Sequence, residues 1–95
     1  MDFPVELKNF LDKEGLLKQW PTKKTMQDIA LNHMFTKFSP DRKYSEPEVN
    51  QVLRQCHTFE NPALLRRAMV DAKLLQRTKD GREYWVEKKE EPAQA

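Results

Sequence analysis

The chain has 95 residues, 34% of them charged and 38% hydrophobic, which leaves room for one small domain with a thin core and none for a second catalytic domain. Seventeen Lys and Arg against fifteen Asp and Glu give a net charge of +2, too weak a bias to specify a polyanionic partner by itself. Two glycines cannot build a phosphate-cradling loop of the Walker or dinucleotide type, which argues against ATP- and NAD-dependent chemistry.

Apolar residues recur with a clear period through most of the chain, so it is expected to fold despite its polarity. Val5, Leu7, Phe10 and Leu11 are spaced for a short amphipathic helix over residues 4–11, with Gly15 as its stop. Residues 16–20 read as a brief strand that Pro21 ends. Thr22 is placed to cap a long helix over 23–38, in which Ile29, Ala30, Met34, Phe35 and Phe38 share one face. Pro40 and Asp41 mark a turn.

Ser45-Glu-Pro-Glu is the sharpest local signal. Ser45 is an N-cap, Pro47 is tolerated in the first turn, and Glu48 completes a capping box. The helix it starts buries Val49, Val52, Leu53 and Cys56 and is expected to end near His57. Asn61 and Pro62 repeat the start signal for a third helix to about Ala72, with Leu65, Ala68, Met69 and Ala72 inward. Beyond Lys73 the period changes to two. Leu75 to Arg77, a Lys79-Asp80-Gly81 turn and Glu83 to Val86 then read as a β-hairpin. Residues 1–87 are thus expected to form one domain, and 88–95, KKEEPAQA, a disordered tail.

A long helix, a capped helix, a short link, a third helix and a hairpin, in that order, predict an α+β, mainly α fold: a winged helix-turn-helix with an extra N-terminal helix and the hairpin as wing. In such domains the third helix lies in the DNA major groove and the wing reaches the flanking backbone. Residues 61–82 carry six basic and two acidic side chains, the most positive stretch of the chain. Arg66, Arg67, Lys73, Arg77, Lys79 and Arg82 are its cations and the candidate contacts to double-stranded DNA. Arg66 and Arg67 lie off the Leu65/Met69 face and are expected to be free for that role. The alternative is a protein-interaction module, a self-association or regulator-docking winged helix, in which an aromatic residue meets a partner. Tyr84 and Trp85 must face opposite sides of a hairpin, so one packs inward and the other is partly exposed.

FLDKEGLLKQWP (10–21), KFSPDRKYSEPEVNQVL (37–53) and ALLRRAMVDAKLLQRTKDGREYW (63–85) together resemble the bacterial domain of unknown function 2087. That small domain is found alone or fused to transcription-regulator modules. The resemblance implies a winged-helix-like domain associated with transcriptional regulation, without catalytic residues to carry over. The link His57-Thr-Phe-Glu-Asn-Pro departs from the family pattern: it is slightly longer and capped by Asn61, where the family tends to place an acidic residue.

No enzyme chemistry is expected. Cys56 and His57 are adjacent on a helix and point about 100° apart, a poor geometry for proton exchange. With His33 they are the only soft ligands, at no recognised metal spacing, so no metal or cofactor is called for. Asn50, on the polar side of the second helix, is placed to bond to the chain before it. The lone cysteine suits a reducing compartment, and neither a membrane span nor a signal peptide is legible, so the expected location is cytoplasmic with no membrane partner.

Overall fold

A computed structural model describes residues 4–87; the expected tail at 88–95 lies outside them. The described chain is α+β and mainly helical, with one two-stranded antiparallel sheet. A 3-10 helix, Val5–Phe10, precedes α1 (Lys24–Phe35), α2 (Glu46–Arg54), α3 (Pro62–Asp71) and the strands β1 (Gln76–Arg77) and β2 (Tyr84–Trp85). No described helix is long and apolar enough to cross a membrane.

The N-terminal segment differs from a regular amphipathic helix. The 3-10 helix buries Leu7 and leaves Val5 77% exposed. A 3-10 turn eclipses side chains three apart, so it cannot bring all four apolar residues to one side. Residues 16–20 are not a strand: Leu17 alone bridges, antiparallel to Leu11 and parallel to His57. Its N–H donates to the Cys56 carbonyl and its carbonyl accepts from Thr58 N–H, both at 2.9 Å. This fully buried leucine therefore ties the N-terminal arm to the link between α2 and α3.

Helix α1 is shorter than its pattern suggests. Its N-cap is Lys23, without a side-chain cap bond, so Thr22 does not cap it. Gln27 Nε2 instead donates to the Pro21 carbonyl at 2.8 Å. At the other end Thr36, Lys37 and Phe38 bond three residues back, tightening the last turn. That tightening turns Phe38 onto Tyr44, ring centroids 5.2 Å apart and nearly perpendicular.

The capping box of α2 forms in full. The Ser45 hydroxyl accepts from Glu48 N–H and Glu48 Oε1 accepts from Ser45 N–H at 2.8 Å. The Ser45 N–H and the Arg42 guanidinium hold the Glu48 carboxyl below its ordinary pKa. The helix ends at Arg54, before His57, because Gln55 and Cys56 also bond three residues back. Asn61 Oδ1 accepts from Leu64 N–H and caps α3. Leu53, Leu65 and Met69 are fully buried where α2 and α3 pack together, and truncating any of them to Ala costs about 2–5 kcal/mol. Ala72, expected inside, is exposed because α3 has already ended.

The hairpin pairs Gln76 with Trp85 and Arg77 with Tyr84. Tyr44 extends it on the far side of β2, exchanging two backbone hydrogen bonds with Tyr84 at 2.7 and 2.8 Å. The sheet therefore joins the α1–α2 link to the last described residues. Tyr84 packs inward and Trp85 is half-buried, with Lys43 Nζ 5.7 Å from its ring centroid.

Candidate nucleic-acid interface

The six basic residues of the third helix and hairpin do not form one uniform patch. Arg66 follows the core residue Leu65 and is turned toward α2 rather than solvent. Its side chain is 14% exposed, one terminal nitrogen donates to Asn50 Oδ1 at 2.6 Å, and the other lies 3.6 Å from Glu46 Oε2. Arg66 is therefore not free: it braces α3 against α2. Asn50 is correspondingly neither exposed nor bonded to the preceding chain through that oxygen; it accepts from α3.

Arg67, one residue further round the helix, is exposed, and among the described residues it has no hydrogen bond or ion pair. Arg77 on β1 is exposed and folds over the hairpin turn, donating to the carbonyls of Thr78 and Lys79, both at 3.2 Å. With Arg66 these two arginines line one groove of about 400 Å³ between α3 and the hairpin. Glu46, Val70, Asp71, Asp80, Gly81 and Tyr84 complete its wall.

Lys79 and Arg82 sit at a second, shallower concavity formed by the turn itself, with Thr78, Asp80 and Glu83. Asp80 organises that turn. Its Oδ1 accepts from the Thr78 hydroxyl at 2.7 Å and Arg82 N–H at 3.1 Å, and its Oδ2 is 3.5 Å from Arg82 Nε. The Thr78 hydroxyl, Arg82 N–H and the charge of Arg77 hold the Asp80 carboxyl below its ordinary pKa. Gly81 closes the turn at φ +73°, a conformation that favours glycine.

Lys73 stands apart from both concavities, exposed just beyond the end of α3. Its φ is +64°, its N–H bonds the Val70 carbonyl, and Leu74 N–H bonds the Met69 carbonyl. This is a Schellman terminus with lysine where glycine is usual.

Cys56 and His57 are both buried. Burial pushes the Cys56 thiol up from its ordinary pKa, and its Sγ contacts the Val52 carbonyl at 3.7 Å. His57 is 4% exposed, and Nε2 accepts from Asn61 N–H at 3.0 Å. A backbone N–H can only donate, so Nδ1 carries the proton and donates to the Leu53 carbonyl at 2.6 Å. Burial lowers its pKa, with the Arg54 charge adding to the effect and Glu60 opposing it. The neutral ring thus spans the α2–α3 link, stacked at a tilt on Phe59.

The charge pattern pointed to α3 and the hairpin, with Asp71 and Asp80 as the acids within that stretch, but not to Glu46 or Tyr84. Glu46 and Asn50 lie four apart on α2, which is a legible shared face; for Tyr84 the alternation showed only that it and Trp85 face opposite sides, not which of them packs inward.

A family model described as an uncharacterised protein conserved in bacteria, DUF2087, matches residues 16–86. No match to the chain was found among curated proteins or solved structures.

Proposed function

The chain belongs to the DUF2087 family of uncharacterised bacterial proteins, and from that premise we propose that it is a winged-helix module of a transcriptional regulator that binds double-stranded DNA through α3 and the hairpin. The order of α1, the Tyr44 bridge, α2, α3 and the two strands supports the winged-helix reading. The observation that carries the DNA reading is the groove that Arg67 from α3 and Arg77 from β1 both line, neither in an ion pair with a carboxylate among the described residues. Glu46 is engaged by Arg66 and Asp80 by Thr78 and Arg82, so the local carboxylates are largely occupied. Arg67 and Arg77 act as phosphate or base-edge contacts, and Lys79 and Arg82 hold backbone phosphate from the tip of the hairpin. Arg66 positions α3 and does not itself reach DNA.

The self-association reading draws less support, because Trp85 is half-buried beneath Lys43. Fluorescence anisotropy with labelled duplex DNA at low salt tests the proposal. Binding is expected to weaken with salt by a log–log slope of roughly −0.9 per phosphate contacted. Arg67→Ala combined with Arg77→Ala is expected to weaken it by about tenfold or more, since two charge-assisted contacts are removed. No association at low salt, or an unchanged affinity in the double variant, overturns it.

A further inference from the structure

Tyr84 combines three properties that do not ordinarily go together. It is 2% exposed, its backbone N–H and carbonyl are both satisfied by Tyr44, and its hydroxyl has no partner among the described residues. Buried hydroxyl groups are as a rule hydrogen-bonded, because leaving one unpaired forfeits its hydration without replacement. The hydroxyl lies 3.8 Å from where a Cβ on Gly81 would stand, and both residues line the groove between α3 and the hairpin.

We infer that this groove is a binding site for a phosphoryl oxyanion, seated between Arg67 and Arg77 with the Tyr84 hydroxyl as a hydrogen-bond donor. The charges select the ligand class. Of the three carboxylates lining the groove, Glu46 is paired with Arg66, Asp80 is held by Thr78 and Arg82 and also acted on by the charge of Arg77, and Asp71 has no ion pair among the described residues. A cation would meet Asp71 in a groove that three arginines also line. An oxyanion offers several acceptor oxygens to planar guanidinium donors and to the phenol at once. The phosphoryl group has two sources, a DNA backbone phosphate or a free phosphate or its ester, and the first rests on the DNA-binding reading.

The test is a titration of the full ¹⁵N-labelled chain with inorganic phosphate against a chloride control of equal ionic strength. The signals to follow are the Gly81 and Tyr84 amides and the Arg67 and Arg77 Nε–H groups. Saturable shifts confined to these positions are expected with phosphate and not with chloride. Tyr84→Phe is expected to keep the fold, since the hydroxyl has no protein partner, and to weaken phosphate binding by about fivefold or more, the value of one lost hydrogen bond. Arg77→Ala, on the exposed turn, is expected to weaken it likewise and serves as the second variant. A short duplex that displaces phosphate assigns the seat to backbone phosphate; phosphate retained beside duplex assigns it to a free phosphate or ester. Absence of saturable shifts, or equal affinity in Tyr84→Phe, overturns the inference. A chain that binds duplex but not phosphate sinks the oxyanion seat and leaves the DNA reading standing; one that binds phosphate but not duplex does the reverse.

Discussion

Arg66 and Arg67 are neighbours of the same type, yet one helical step of about 100° separates a brace from an open charge. Arg66 meets Asn50 and Glu46 on α2, while Arg67 faces outward into the groove. Sequence places both off the Leu65/Met69 stripe, but it does not say that α2 covers one of them. Lys73 is a comparable case: a cation in the most positive segment whose first role is conformational. A non-glycine residue in the left-handed region carries a steric cost, here at φ +64°. Lys73→Gly is expected to raise stability by about 0.5–1 kcal/mol, or roughly 2–6 °C in melting temperature for a domain of this size. A thermal melt checks it, and a lower melting point would contradict the Schellman assignment.

The helices show which signals are local enough to read directly. The α2 capping box and the Asn61 cap of α3 involve partners within three residues, so spacing alone specifies them. The ends of α1 and α2 are set by distant partners. Phe38 leaves the helical period to meet Tyr44, whose hydroxyl accepts from Ser39 N–H at 2.8 Å. Helix α2 stops at Arg54 so that the Cys56 carbonyl can accept from Leu17 and the His57 ring can bridge to Asn61. Between the two helices the strongest polar tie is Arg66 to Asn50, and Glu46, half exposed, adds less. Arg66→Ala is expected to cost about 1.5–3 kcal/mol by leaving the Asn50 carbonyl without its charged donor. Arg67→Ala, on the open side, is expected to change stability by less than about 0.5 kcal/mol. Urea denaturation of the two variants separates them, and equal midpoints would refute the brace.

At the scale of the whole molecule, three segments meet at the α2–α3 link: the N-terminal arm through Leu17, α2 through the Leu53 carbonyl and α3 through Asn61. The neutral His57 ring joins the last two. Protonation at Nε2 would set a donor against the Asn61 N–H, and burial already disfavours the charged form, so the folded pKa lies below the ordinary 6.5. Between the folded and unfolded values the unfolded chain binds more protons. This contribution to stability is therefore complete above about 6.5 and is lost as pH falls through the folded pKa. The urea midpoint of the wild type is expected to drop between about pH 7.5 and 5.5, and that of His57→Gln to change less over the same range. An imidazole titration by NMR that gave His57 a pKa above 6.5 would contradict it.

By itself the sequence determined the mainly helical class, the starts of α2 and α3, the hairpin and its turn, and that Tyr84 and Trp85 face opposite sides of it, because each depends on periodicity or on hydrogen bonds spanning only a few residues. Tertiary structure alone decided that Tyr44 joins the sheet, that Leu17 bridges rather than forms a strand, that Arg66 braces α2, and that Tyr84 brings an unpaired hydroxyl to the Arg67 and Arg77 groove. Those features depend on which surfaces come together when the core closes. A side chain's own periodicity records the face it occupies but not the partner packed against that face.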